Sequence, residues 1–299
     1  MKNRFFILTT MLALILSGCK GNAPVSESAE ANSKLTANEA ESADSAGSAS
    51  TFDSEKAMDE DAPVFVESCD EYEKTNPDDS SGRPYFIRST EKVALDDASK
   101  EKYPELAKAW EEYTNANYKE EDSLSEEYFE TSLQADEDSY ETLGLPFDLT
   151  TGYNIERCDS HYVSAVYYSY GFGGGAHPWD DWESKTFDVR TGEEVLISRF
   201  IPDKEALFKY LKDYFSKDTE DSLYDGWEDT LSEIVENSYK DIDVIKNSEE
   251  YMPVLNWALG TDGIEIYFDN YTLAPRVEGD IDMVVPYDTA IVDKDAVFP

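Results

Sequence analysis

The stretch from Tyr162 to Phe187 constrains the fold of this chain more than any other segment. If its first part is an extended strand, both faces of that strand are apolar. One face has Val163, Ala165 and Tyr167, and the other has Val166, Tyr168 and Tyr170. A strand with two apolar faces belongs near the middle of a sheet that is covered on both sides. Three glycines at 173–175 permit backbone angles or close approaches that side chains prevent, and a second extended run follows. We therefore expect two strands joined by either a structural bend or a binding loop.

Residues 1–19 are typical of a bacterial lipoprotein signal peptide. Lys2 and Arg4 give a positive start, residues 5–16 are apolar, and the sequence LSGC at 16–19 resembles a lipobox. The apolar run is shorter than the roughly 20 residues that a membrane span needs. We expect cleavage before Cys19 and lipidation of its thiol, which would anchor the exported protein to a bacterial membrane, at the cell surface or facing the periplasm. An ordinary secretory signal is the alternative.

Residues 20–62 are rich in Ser, Ala, Glu, Asp and Asn and have few large apolar side chains. Such a segment cannot bury enough apolar surface to offset the entropy lost on ordering. We expect a disordered tether that holds a folded module away from the membrane.

The chain is strongly acidic, with 25 Lys and Arg against 66 Asp and Glu and a net charge of −41. Loss of Lys2 and Arg4 with the signal would leave 23 basic residues against 66 acidic ones, a net charge of −43. This field repels nucleic acid and anionic lipid headgroups, and it attracts cationic proteins, peptides and metal ions. Solubility of a surface protein would account for the same charge without any partner.

Two cysteines, Cys69 and Cys158, remain after lipidation of Cys19. Both follow apparent strands in an exported domain, where the compartment is oxidising. The sequence therefore allows a disulfide between them, which would tie the start of the folded region to its middle.

Residues 63–299 contain runs of strands broken by runs of helices, with no repeat and no βαβ alternation. This organisation predicts an α+β fold with a mixed, mainly antiparallel sheet and helices packed on it. We expect a two-part globular module, a small α+β domain at 63–158 and a larger one at 159–299. Asp203 is a candidate helix N-cap. The patterns predict helices at 100–118, 120–141, 203–215 and 227–239, and strands at 153–158, 161–170, 180–189, 254–258, 263–268 and 281–285.

Two sequence blocks carry a resemblance to a known family. The first is 170–192, with Gly-Gly-Ala-His and TFDVRTG; the second runs from IEIYFD at 264–269 through YTLAP at 271–275 to VVPY at 284–287. They resemble the extracytoplasmic domain of RsiV-type anti-sigma factors, also found beside the catalytic domain of PdaC-type peptidoglycan deacetylases. The resemblance covers about 160–290, and 63–155 is more weakly similar to the small domain that precedes it.

This resemblance implies a mixed α/β module outside the cell, which in some members binds lysozyme. The sequence shows neither a cytoplasmic segment with a spanning helix nor a deacetylase domain. We therefore expect the binding property to carry over, but not sigma-factor control or deacetylation.

The candidate site is the loop region at 173–183. His177 with nearby carboxylates has the chemistry of a metal or acid–base site, although an imidazole that fixes the loop backbone explains it more simply. The two tryptophans are suited to stacking on sugar rings or anchoring a protein, and equally to core packing. We expect no metal, no cofactor and no catalytic residue. The candidate binding residues are Gly173, Gly174, Gly175, His177, Trp179, Asp180, Asp181 and Trp182.

The sequence thus predicts a membrane-anchored extracytoplasmic binding module that recognises a cationic envelope protein such as lysozyme, and no nucleic acid. The alternative is a peptidoglycan- or glycan-binding, or glycan-modifying, protein that uses the Gly-Gly-Gly-Ala-His loop. Binding is favoured over catalysis because the sequence contains neither a nucleophile elbow nor a Cys–His pairing. A spacer or assembly role in the envelope stays open.

Overall fold

The computed structural model describes residues 59–134, 140, 142–175, 177–218, 222–275 and 281–299. Within these ranges the chain forms one five-stranded and one three-stranded sheet, together with helices. The predicted signal peptide and most of the predicted tether lie outside the described residues. The elements in chain order are β1 (Phe65–Thr75), β2 (Pro84–Leu95), α1 (Asp97–Lys102), α2 (Pro104–Ser132), β3 (Phe147–Cys158), β4 (Tyr162–Phe172), β5 (Trp179–Asp188), a 3₁₀ turn (Ile197–Arg199), α3 (Lys204–Asp218), α4 (Trp227–Ser238), α5 (Ile242–Lys246), β6 (Asn256–Leu259), β7 (Gly263–Phe268), β8 (Ile281–Pro286) and α6 (Lys294–Val297).

The larger sheet has its strands in the order β1-β2-β3-β4-β5. Its pairs are antiparallel except for β2 and β3, which are parallel. Parallel neighbours need a crossover connection, and α1 and α2 lie in that connection. The sheet therefore contains one βαβ unit, which the sequence patterns did not indicate. The mixed, mainly antiparallel α+β fold is confirmed.

Helix α2 packs along one side of this sheet and is a single helix where the sequence predicted two. Its first half buries Trp110, whose indole N–H donates to the Val93 carbonyl oxygen at 2.8 Å. Farther along, the buried residues are polar, including Glu121 and Ser125, because they face Arg88 of β2. An apolar stripe therefore stops in mid-helix although the helix does not. Pro104 occupies the first turn of α2, a position that suits its missing N–H.

In the C-terminal part, α3 and α4 pack against the three-stranded sheet β6-β7-β8. Both pairs of neighbouring strands in this sheet are antiparallel. The predicted N-cap is confirmed, since Asp203 Oδ1 accepts a hydrogen bond from the Ala206 N–H at 2.9 Å. The core of this part includes Phe200, Leu207, Leu211, Phe215, Leu231, Ile264, Ile266 and Val285.

The predicted domain boundary at 158/159 lies in the turn between β3 and β4, which pair in one sheet. The division into domains at 63–158 and 159–299 stays a prediction. None of the helices within the described ranges has both the length and the apolar character needed to cross a bilayer.

The disulfide that the sequence allowed between Cys69 and Cys158 is not formed. Cys158 Sγ donates to the Pro63 carbonyl oxygen at 3.1 Å, whereas Cys69 Sγ lies 3.8 Å from Ser89 Oγ. Pro63, the partner of Cys158, comes just before β1. Cys69 lies four residues beyond Phe65, the first residue of β1, which is about 13 Å at the rise of an extended strand. The two thiols are thus separated along the length of β1. Burial raises the pKa of Cys158 to about 12.

Candidate functional site

The glycine loop between β4 and β5 is packed against α2 and β3. A methyl group at Gly173 would overlap the ring of Tyr128 on α2. Gly174 has φ +90°, and a Cβ there would lie 2.7 Å from the Phe147 ring. Gly175 has φ +109° and is exposed. The lack of side chains at Gly173 and Gly174 is therefore explained by close packing and backbone conformation.

The two tryptophans of the candidate site lie on opposite sides of the sheet. Trp179 pairs with Gly171 and faces α2, where its indole N–H donates to the Tyr128 hydroxyl. Trp182 is three residues farther along β5, and an odd separation in a strand reverses the side-chain direction. The candidate residues of β5 are consequently divided, with Trp179 and Asp181 facing α2 and Asp180 and Trp182 facing away.

His177 is half-buried in the turn before β5, outside both sets of strand residues. Asp181 pairs with Ser169 on the α2 side. Among the described residues, no group of three or more His, Cys, Asp or Glu side chains is arranged to hold a metal ion.

The side of the sheet that faces away from α2 brings together residues from all five strands in three rows. We call this set the open face, because every member except Gly152 is partly or fully exposed. Its rows follow the strand register: Cys69, Glu91, Gly152, Tyr168 and Trp182; then Glu71, Ser89, Thr150, Tyr170 and Asp180; then Glu73, Ile87, Asp148 and Phe172.

The first row is held together by the Tyr168 side chain. Its ring passes over Gly152, where a Cβ would lie 2.5 Å from the hydroxyl oxygen, and the hydroxyl donates to Glu91 Oε2 at 3.0 Å. On its other side the ring lies 6.1 Å from the Trp182 ring, at an interplanar angle of 48°. The Trp182 indole N–H is buried and has no hydrogen-bond partner among the described residues. Gly152 thus lets one tyrosine connect a carboxylate on β2 to a tryptophan on β5, across four neighbouring strands.

Strand β6 borders the open face beyond its first row. The Trp257 N–H donates to Ser184 Oγ at 2.6 Å and the Leu259 N–H donates to Ser164 Oγ at 2.9 Å. At the β5 edge, Asn270 Nδ2 donates to Asp180 Oδ2 at 2.9 Å. The neighbouring Tyr271 has φ +66°, which is uncommon for a bulky residue. The C-terminal part therefore covers one end of this side of the sheet and leaves the three rows accessible.

The basic residues of the five-stranded sheet are absent from the open face, whereas carboxylates occur on both sides, with Asp70, Asp181 and Glu183 on the α2 side. The strands contain five basic residues, and none of them belongs to the open face. Four contact residues of α2: Lys74 pairs with Glu126, Arg88 with Glu121 and Asp122, Lys92 lies 5.6 Å from the Tyr118 ring, and Lys185 lies 4.8 Å from the Tyr113 ring. The fifth, Arg157, pairs with Asp159.

The open face contributes five carboxylates, Glu71, Glu73, Glu91, Asp148 and Asp180. Glu71 and Glu73 are exposed and, with Ile87 and Ser89, line a depression of about 530 Å³ that also touches Tyr72 and Arg88. Burial raises the pKa of Asp148 to about 6. An acidic surface with aromatic side chains in its first row is suited to contact with cations.

Of the eight residues that the sequence indicated, the structure places only Asp180 and Trp182 on the open face. Sequence reasoning missed Tyr168, Glu71, Glu73, Glu91 and Asp148 as members of one surface. The alternating acidic residues of β1 were a signal, but only the register between strands shows what they lie beside.

Comparison with known families gives one sequence match. Residues 200–288 match a family described as "Protein of unknown function (DUF3298)", and no curated protein matches the chain. The match spans α3 to β8 and ends just beyond β8.

The solved structures that resemble the chain include two of the DUF3298 family. A DUF3298-family member from Bacteroides fragilis has 11% sequence identity and a TM-score of 0.53, over 79% of this chain and 95% of that one. A DUF3298-family protein from Pseudomonas aeruginosa has 15% identity and a TM-score of 0.45, over 78% and 96%. At this identity the first likeness shows a shared fold and nothing about activity. The C-terminal part of the chain, residues 200–288, thus matches the model of a DUF3298 domain, a domain of unknown function.

Proposed function

We propose that this protein is a lipid-anchored, extracytoplasmic binding module whose open face recognises a cationic envelope protein, with lysozyme-like muramidases as the leading candidate class. The placement of charge carries the proposal, because four of the five basic residues of the strands contact α2 on the opposite side of the sheet, while five carboxylates and no basic residue belong to the open face. The resemblance to RsiV-type domains supports a protein ligand, and the predicted lipobox supports the anchor.

The carboxylates and the aromatic side chains of such an interface have different roles. Carboxylates attract a basic partner over a distance and raise the association rate, an effect that added salt weakens. Aromatic anchors dominate the energy of the docked complex. Tyr168 and Trp182 are the aromatic pair of the first row, and their partly exposed rings offer an aromatic surface to the partner.

Interferometry of the chain from residue 20 onward against hen-type lysozyme, at low and at physiological ionic strength, tests the proposal. We expect binding at both, weaker at the higher. A neutral or acidic protein of similar size is the control. No binding at low ionic strength would refute the choice of ligand, and binding that disappears at physiological ionic strength would show that bulk charge alone is responsible.

A glycan ligand is the second candidate, favoured by the half-exposed ring pair of Tyr168 and Trp182, since aromatic faces beside carboxylates suit sugar rings. This alternative predicts that muropeptides shift the melting temperature and that lysozyme does not compete with them. If the glycine loop were the glycan site, His177→Ala would abolish this shift with little loss of stability. A large loss of stability would assign His177 to holding the loop.

A further inference from the structure

Strand β1 ends the five-stranded sheet, and its outer edge has no partner strand within the described residues. It runs for 11 residues and pairs with β2 along this length. In an antiparallel pair every second residue directs its N–H and C=O away from the neighbour. The opposite edge differs, because the chain after β5 turns back along it, with a Phe187–Glu194 bridge and a Val195 N–H to Thr186 carbonyl bond of 2.7 Å.

The charges of β1 determine which strand fits this edge. Glu67, Glu71 and Glu73 share one side of the strand with Cys69, and Asp70 lies on the other. The one basic residue of β1, Lys74, pairs with Glu126 of α2. Charged edges disfavour pairing between identical edges, and two β1 strands side by side would bring like charges together. A second copy of this chain is therefore a poor occupant, and a basic strand is a good one.

We propose that the partner adds an extended basic segment to the outer edge of β1, with Lys or Arg at alternate positions facing Glu67, Glu71 and Glu73. Backbone hydrogen bonds provide the affinity and the alternating charges provide the selectivity, as in strand addition by other proteins. This inference rests on the proposed function for the sign of the partner's charge, and it adds the partner's conformation. It extends the acidic rows of the open face by one strand.

The test uses the chain from residue 20 onward and three nine-residue peptides. The first alternates lysine and threonine, the second has glutamate in place of lysine, and the third is the lysine peptide with every backbone nitrogen methylated. We expect the lysine peptide to bind at least tenfold more tightly than either of the others. Hydrogen exchange of the complex should show new protection of amides within 65–75.

A triple variant, Glu67→Lys, Glu71→Lys and Glu73→Lys, should reverse the preference toward the glutamate peptide, with circular dichroism as the check that it folds. Equal affinity of the methylated and unmethylated lysine peptides would overturn strand addition, because charge alone would then suffice. So would protection confined to segments other than β1. Lysozyme binding without peptide binding would refute this inference alone, whereas peptide binding without lysozyme binding would refute only the proposed protein ligand.

Discussion

Trp179 and Trp182 stand three residues apart on β5 and lie on opposite faces of the five-stranded sheet. The first donates a hydrogen bond to Tyr128 of α2, and the second packs against Tyr168 on the open face. A short sequence that looked like one aromatic site therefore serves two purposes, attachment of the helix and presentation of a surface.

The two tryptophans should respond differently to replacement. We expect Trp179→Ala to lower the free energy of unfolding by about 3 kcal/mol, because it removes a large side chain packed beside Phe147 and Tyr128. Trp182→Ala should cost less stability but weaken lysozyme binding at least tenfold, as removal of an aromatic anchor does. Chemical denaturation and interferometry separate the two effects. A loss of affinity in folded Trp179→Ala equal to that in Trp182→Ala would contradict the assignment.

The glycine loop should be sensitive to added volume. We expect Gly173→Ala to cost about 1–3 kcal/mol of stability, because the methyl group meets the Tyr128 ring. Gly82→Ala is a control in open space, with φ +71° and no atom within 4 Å, so only backbone strain of about 1 kcal/mol applies. The double variant Gly173→Ala with Tyr128→Leu should recover part of the loss. Thermal melts measure all three, and no recovery would argue against the Tyr128 contact.

Removal of only one partner of the Arg88–Glu121 ion pair should lower the free energy of unfolding by a large amount. Their side chains are 7% and 2% exposed and 2.6 Å apart, and Glu121 also accepts from the Tyr167 hydroxyl at 2.9 Å. Arg88→Met leaves a buried carboxylate uncompensated, so we expect a loss of roughly 3–5 kcal/mol. The double variant Arg88→Met with Glu121→Met should be less destabilised than the single one. Urea denaturation of Arg88→Met, Glu121→Met and the double variant tests this account. A loss in the double variant equal to the sum of the two single losses would contradict it.

Asp148 should give stability and binding opposite responses to pH. Its folded pKa of about 6 exceeds the ordinary 3.8, so the folded state binds more protons between these values. Stability therefore falls as pH rises through this range, and Asp148→Asn should remove this trend and add about 1 kcal/mol at neutral pH. A basic ligand prefers the ionised carboxylate, so its affinity should fall by about threefold when Asp148 is protonated. Denaturation and interferometry at pH 5 and 7 test both, and a variant that keeps the wild-type trends would contradict them.

Much of the fold followed from sequence patterns, and the exceptions have physical causes. The strands β4, β5 and β7 and the helices α3 and α4 carry clear periodicity because one or both faces are buried. Strand β1 continues through Cys69 to Thr75, whereas the sequence indicated only an apparent strand before Cys69, because the side chains beyond it are mostly exposed. The sequence predicted two helices where α2 is one, and it indicated no strand at β2, because Arg88 and Glu121 bury charge where a pattern search expects apolar residues.

The candidate site was located only in part. A glycine run has the same appearance whether a ligand or a neighbouring ring fills the space beside it, and only the packing of Tyr128 and Phe147 decides between these. The open face depends on strand order and register, which bring Glu91 of β2 beside Tyr168 of β4 although 77 residues separate them. No local pattern encodes that distance.

The most direct measurement compares lysozyme affinity for two variants with the same change of charge. Glu71→Lys with Glu73→Lys alters the open face, whereas Glu111→Lys with Glu112→Lys alters exposed positions of α2 on the other side of the sheet. At physiological ionic strength we predict at least a tenfold loss of affinity for the first variant and less than a twofold change for the second. Equal losses in the two variants would show that net charge, and not the open face, attracts the partner.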